Sequence, residues 1–391
     1  MIRSITAYTT EIDDAEQAAA DITSALDLSK LLKNTVGIIV CHNDFVDSGA
    51  AEAVCAALPF PTVGVAALAG LISSSADNLE NFLLSVLVLT SDDADFSVGL
   101  TEPIESAETF GNIDKIYKET AGKLSGPPKL VLSYLPLGIL TVSSDEVVRK
   151  MDTLTGRATP NFGSYSSSAN LEFTNAFIIV NGKHYRDRYA FVLISGEVNP
   201  RFFCAAAFFS KNMPKKGLVT RAVSNMIQEI NNKPPIEYLK EAGVCSNAEE
   251  FNASAVNFPI LVDYNDGSNP VMRGAFHITE EGHIFCAAEV PQDSTISISI
   301  ADTEGILRSF DEVIDFANSA GEASAVLIYS CIGRYWMLQT DYQKEMSAAL
   351  ERIKPSFQLA YSGTEICPVA FEGSDKTANR SHNITCVVCA L

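Results

Sequence analysis

Positive charge is scarce in this chain: 28 Lys and Arg stand against 48 Asp and Glu in 391 residues, a formal net charge of −20. Binding a phosphate backbone needs clustered Lys and Arg to replace its counterions, so nucleic acid is not an expected partner. The same negative field disfavours anionic lipid surfaces. No apolar run approaches the roughly 20 residues that a membrane-spanning helix needs, so no membrane insertion is expected. Met1-Ile2-Arg3-Ser4 does not lead a charged region into a long apolar one. A signal peptide is therefore not expected, and the chain reads as cytoplasmic. Histidine is rare at five residues, and no Cys/His group has zinc spacing. The cysteines number nine, an odd count, and most sit in apolar stretches, as small core residues of a reducing compartment do. Cys386-Val387-Val388-Cys389 has the C-x-x-C spacing, but residues three apart on a strand point to opposite faces and cannot share a metal or form a local redox pair. The glycines at 64 and 70 lack the G-x-G-x-x-G spacing of a dinucleotide fingerprint.

What is present is a globular composition, 47% hydrophobic and 19% charged, with length for two or three domains. The last part, 324–391, reads by periodicity as strand, helix, strand, loop, strand. The same pattern occurs over 36–89 and 130–194, and a strand with an amphipathic helix precedes each copy, at 13–33, 104–123 and 303–320. The expected fold class is therefore α/β, with mixed β-sheets flanked by helices and three related strand-helix-strand-helix-strand units in two domains. Repeats of this length fit modules that stack or share sheets. The basic, proline-containing segment 211–216 is the expected boundary, dividing 1–210 (two units) from 211–391 (a strand-rich insertion and the third unit). Strand 295–300 is expected to lead into the third unit. The small polar loops at 72–75 and 165–170 occupy similar places in units one and two and would converge if the sheets share an end.

Several stretches, in order, resemble the FIST sensory domains, N-terminal and C-terminal parts together. They are Asn232-Lys233-Pro234-Pro235-Ile236-Glu237-Tyr238-Leu239, Phe258-Pro259-Ile260, Met272-Arg273-Gly274, Gly282-His283-Ile284-Phe285, Ser330-Cys331-Ile332-Gly333-Arg334, Gly363-Thr364-Glu365-Ile366 and His382-Asn383. The resemblance spans about 30–205 and 220–391. It implies intracellular sensing of a small ligand, with amino acids proposed for the family and a haem-binding, nitric-oxide-responsive branch known. Two departures matter. Gly64-Val65-Ala66-Ala67-Leu68-Ala69-Gly70 replaces the family's usual G-C-S-T-x-G-E-like stretch, so polar contacts made there are missing. No kinase, cyclase, methyl-accepting or F-box segment is attached, so output would pass through a separate signalling protein such as a histidine kinase or cyclase.

Chemistry concentrates in the third unit. Cys331, Gly333 and Arg334 lie where a strand turns into a helix, and free backbone N–H groups with the helix dipole favour an anion there. Ser362, Thr364 and Glu365 end the neighbouring strand, and Arg380, His382 and Asn383 precede the last. An arginine at a helix start could hold a carboxylate and a glutamate an ammonium, the minimum for recognising a free amino acid. The bland alternative is that Arg334 and Glu365 pair with each other. Catalysis by Cys331 is a rival reading, but C-x5-R is absent, no partner base is identifiable, and no enzyme activity is expected. No cofactor is required. Haem is the alternative, although no histidine is singled out as an axial ligand and no C-x-x-C-H occurs.

Overall fold

The structure is a computed structural model that describes residues 2–67, 71–80, 82–106, 110–111, 113–139, 142–167, 175–206, 211–300, 302–319 and 325–391. Strands are numbered in chain order. Three sheets share one plan, and a fourth is inserted among them. The first runs β1 (Arg3–Thr9), β5 (Leu84–Ser91), β2 (Asn34–His42), β3 (Thr62–Ala67), β9 (Ile178–Val180) and β10 (Lys183–Tyr185). The second runs β23 (Thr377–His382), β22 (Glu365–Ala370), β8 (Asn161–Ser166), β7 (Leu130–Pro136), β11 (Ala190–Gly196) and β6 (Ala94–Leu100). The third runs β12 (Arg201–Ala206), β24 (Thr385–Ala390), β20 (Val326–Cys331), β21 (Phe357–Ser362) and β4 (Ile72–Ser73). The inserted sheet runs β16 (Val271–Arg273), β15 (Ile260–Asp263), β19 (Thr295–Ile300), β13 (Lys211–Val223), β14 (Met226–Ile230), β18 (Ile284–Cys286) and β17 (Ala275–Ile278).

The shared plan is visible in the pairing. In each unit the first two central strands are parallel, β2 with β3, β7 with β8 and β20 with β21. The unit's last strand, β5, β11 or β24, lies antiparallel on the other side of the first. A parallel pair needs a crossover, and the helices Ala50–Ala57, Ser144–Thr155 and Tyr342–Arg352 supply it. Ser143 and Glu146 start the second of these with a reciprocal capping box. Each unit then lends a strand or hairpin to a neighbour. β9 of unit two pairs with β3, β22 of unit three with β8, and β4 of unit one with β21. The three units thus close a cycle.

The central strands are buried on both faces, as parallel strands between layers are. Val36, Ile38 and Val40 point into a core shared by all three units, together with Leu130, Leu132 and Tyr134, whereas Ile39 and Cys41 point under the flanking helices of unit one. At the equivalent register stand Val40, Tyr134 and Tyr329, and the two tyrosine hydroxyls meet at 3.3 Å. Gln358 crosses from unit three to Ser85 and Ile38 of unit one, donating at 3.1 to 3.3 Å.

Three expectations change. The strand leading the third unit is β12, paired with β24 from Arg201↔Ala390 to Ala206↔Thr385, and 211–300 is inserted after it. The basic segment 211–216 opens β13, where Lys211 and Asn212 pair with Ile300 and Ser299 of β19, because a backbone edge offered to it outweighs the local proline. The loop serines also separate. Ser74 meets Phe357 at the start of β21, whereas Ser167 meets Tyr361 near its end, so the two loops flank opposite ends of one strand. Residues 168–170 of the second loop lie outside the described residues.

Close approach of the parallel strands puts a steric demand on Gly163, where an added Cβ would stand 2.0 Å from the Ser133 carbonyl oxygen. Gly163→Ala is expected to cost about 1 to 3 kcal/mol or more in urea unfolding, as overpacking does. Gly126→Ala, with nothing within 4 Å, should leave the midpoint unchanged.

Candidate functional site

The strand ends of unit three gather most of the predicted residues. Cys331 ends β20, Ser362 ends β21, Glu365 starts β22 and sits opposite His382 of β23, and Thr385 starts β24. All five side chains are buried. Ser362 donates to the Thr364 carbonyl at 2.7 Å and receives a 3.0 Å bond from Ser164 of unit two. The turn is close because Gly363 has no side chain: a Cβ there would meet Leu137 at 2.7 Å. Asn383 donates to Thr364 Oγ1 at 3.3 Å. Between Asn383 and Thr385, Ile384 takes φ 58°, a left-handed conformation that is a real outlier for a β-branched residue. Packing of its side chain among Ile306 and Leu338, against Gly333, holds it there.

Glu365 is the chemical centre of this cluster. Its Oε2 accepts from Thr385 Oγ1 at 3.0 Å, and the Ser362 hydroxyl beside it is turned to the Thr364 carbonyl. Oε1 has no partner, and neither has the nearby Asn383 Oδ1. Buried acceptors without donors are costly, and such orphans mark places where another molecule can supply the bond. Burial pushes the Glu365 carboxyl well above the ordinary carboxylate range. Burial, with the Glu365 charge beside it, likewise raises the Cys331 thiol well above its usual value, so this sulfur is no ready thiolate.

Arg334 stands apart from the acceptors. Its guanidinium donates to Glu345 of the Tyr342–Arg352 helix, to Ser309 Oγ at 2.9 Å and to the Ile306 carbonyl at 3.1 Å, all fully buried. Glu345 also accepts from Tyr361 at 2.5 Å. The pairing partner is Glu345, not Glu365, and it lies in the next helix where a single-sequence reading had no reason to prefer it. The helix Ile332–Leu338 has only seven residues and no side-chain cap, too short to offer a strong dipole site. Arg380 is also engaged, with Asp266 of the inserted sheet, and lies over the Tyr264 ring at 4.5 Å.

His382 is fully buried. Its Nε2 lies 3.0 Å from the Cys367 carbonyl and its Nδ1 3.5 Å from Cys204 Sγ, and burial pulls its pKa down to about 3. His382, Cys204 and Thr385 form the floor of a 440 Å³ cavity between β12, β16 and β22. Cys204 and Thr385 escaped the sequence reading. Only recognition of β12 as the third unit's leading strand would have brought Cys204 here.

A closed ring of three α/β units with a buried polar cluster and an adjoining cavity is a scaffold for holding a small molecule. The FIST N domain matches residues 35–233 and the FIST C domain residues 236–368, so the chain belongs to the FIST family, whose domains are small-ligand-binding sensory domains of signal transduction. No curated protein matches the chain. Among solved structures it is similar to a cyanuric acid hydrolase from A. caulinodans at 11% identity, covering 100% of this chain and 99% of that one with a TM-score of 0.33, a likeness too distant to carry an argument. No helix among the described residues is long and apolar enough to cross a membrane.

Arg334→Ala would strand Glu345 as an uncompensated buried charge and should cost about 3 to 5 kcal/mol. The double replacement Arg334→Met with Glu345→Leu should recover most of that loss in urea titrations. Glu365 sets a pH signature. A carboxyl raised by folding contributes fully below its unfolded pKa of about 4.3, and its contribution falls as pH rises toward the folded value. Glu365→Gln should therefore gain stability over the parent as pH rises above about 4.3, by up to about 1.4 kcal/mol per pH unit. A difference that stays flat with pH would show Glu365 ionised in the folded protein.

Proposed function

We propose that this protein is a cytoplasmic, non-enzymatic sensor that binds an amino acid or a similar small charged metabolite in its C-terminal half and signals through a separate protein such as a histidine kinase or cyclase. The observation that carries this reading is the pair of buried acceptors without donors, Glu365 Oε1 and Asn383 Oδ1, in a strand-end cluster of which Glu365 lies within the FIST C match and Asn383 just beyond it. An ammonium group answers both the missing donor and the buried carboxyl, which would ionise as the cation arrives. Cys331, Ser362 and Thr364 shape the surroundings of Glu365. Gly333 keeps the Ile384 turn close, and Arg334 holds the helices beneath it. The high pKa of the Cys331 thiol speaks against a cysteine nucleophile.

Thermal unfolding against a panel of the common amino acids and their decarboxylated amines is the direct test. At least one compound should raise Tm in the parent and fail to do so in Glu365→Gln, with Trp336, which is partly exposed beside Arg334, as a fluorescence reporter. Calorimetry in buffers of different ionisation enthalpy should show protons released on binding, as linkage requires when an arriving cation lowers the raised pKa of a carboxyl. Stabilisation undiminished in Glu365→Gln, or none by any compound, would defeat the reading.

A further inference from the structure

Three seams run through the ring, each between one unit's leading strand and the strand or hairpin that the same unit lends to a neighbour's sheet. Between β1 and β4 the seam is closed, with Thr6 Oγ1 and Ser74 Oγ 3.2 Å apart. Between β6 and the β9–β10 hairpin it is a cleft of 510 Å³, walled by Phe96, Val98, Leu100 and Val180, with Lys123 and Lys183 also lining it. Between β12 and β22 it is the 440 Å³ cavity, and only here does the inserted sheet add walls, through Leu261 of β15 and Pro270, Val271 and Met272 at β16. The insertion has turned a general seam into a chamber of the size that holds small molecules, roughly 300 to 1,000 Å³.

The chamber's floor has a definite polarity. A carbonyl oxygen only accepts, so the 3.0 Å contact with Cys367 O places the His382 proton on Nε2. The neutral ring then leaves Nδ1 as an acceptor, held only by the weak Cys204 S–H donor at 3.5 Å. Thr385 gives its hydroxyl proton to Glu365 Oε2, and its lone pairs remain. The floor therefore presents acceptors, with the Glu365 carboxyl one hydroxyl behind them. Walls of Phe202, Leu261, Val271, Met272 and Val369 are apolar, Asn269 adds one amide at the exposed rim, and no charged side chain lines the chamber among the described residues. A carboxylate would meet acceptors below and no cation at the sides.

We propose that the chamber between β12, β16 and β22 binds a small primary amine with a compact, uncharged apolar body, its nitrogen donating to Thr385 Oγ1 and His382 Nδ1. This rests on the sensor reading but changes the contact, since the ammonium meets Glu365 through Thr385 and not directly, and it narrows the ligand class: an amine, or an amino-acid derivative whose carboxylate is masked, is selected over a free amino acid. The apolar walls, buried at Val271, Met272 and Val369 and half-buried at Phe202 and Leu261, take the body, and the Glu365 charge behind Thr385 complements the ammonium.

Three compounds of one shape decide it: 3-methylbutylamine, 3-methylbutanol and 3-methylbutanoate, titrated calorimetrically into the full chain at pH 7. The amine should bind, the acid should not, and the alcohol should bind about tenfold or more weakly, the loss of one charge-assisted bond. Thr385→Val should weaken the amine by a similar factor. Leu261→Trp, which fills the chamber from its β15 wall, should abolish binding, and Ala370→Trp at the exposed rim does the same service if the first variant folds poorly. Acid or alcohol binding as well as the amine overturns the proposal, as does amine binding unaffected by the filled chamber. In that last case, loss of binding in Glu365→Gln would keep the sensor reading while removing the chamber from it. No binding by the amine, in a protein that other compounds stabilise through Glu365, also overturns the chamber alone.

Discussion

A sheet edge left open presents a row of unpaired N–H and C=O groups, and here each unit's edge is completed by another unit. β3 takes β9, β8 takes β22 and β21 takes β4, so no unit satisfies its own backbone alone. Stability is for this reason a property of the closed cycle. The shared core of inward-facing residues, with Gln358 anchored across to Ser85, adds apolar and polar reasons for the same closure.

That closure also decides where chemistry can sit. Because the hairpin of unit three is lent to unit two, Glu365 stands opposite both His382 of its own hairpin and Ser164 of β8. Ser362 reaches Ser164, and Gly363 N–H bonds to the Tyr165 carbonyl at 2.9 Å. The acceptor cluster is thus made at a joint between units, held by backbone pairing on both sides and strained at Ile384. The inserted sheet meets the same joint through the Arg273–Asp145 ion pair at 3.1 Å and through the Arg380–Asp266 pair. A ligand arriving there would touch elements from three parts of the chain, which is a physical route for binding to alter how they sit together.

Much of this was legible in the residues. Helical spacing, the Asn181-Gly182 hairpin with both φ values positive, and the proline opening the helix Pro235–Glu241 all act over a few neighbours, so the sequence carries them directly. The gathering of Cys331, Ser362, Glu365 and His382 was legible too, because each follows or precedes a strand of one repeat. The partner of Arg334 was not. Glu345 and Glu365 are both carboxylates within reach by sequence, and only the packing of one helix on another chooses between them. β12 was hidden for a similar reason, since 96 intervening residues separate its last residue from the helix at Thr303 that it introduces, and sheet membership leaves no local mark.

The sequence by itself determined the units: their elements, their number, their apolar faces and the polar residues at their strand ends, all set by periodicity and local stereochemistry. Tertiary structure alone decided how the units lend strands to one another, which carboxylate neutralises Arg334, and that one seam of three became a chamber. Those outcomes depend on pairing and burial between residues far apart in the chain, where many partners are chemically equivalent and only the closed geometry tells them apart.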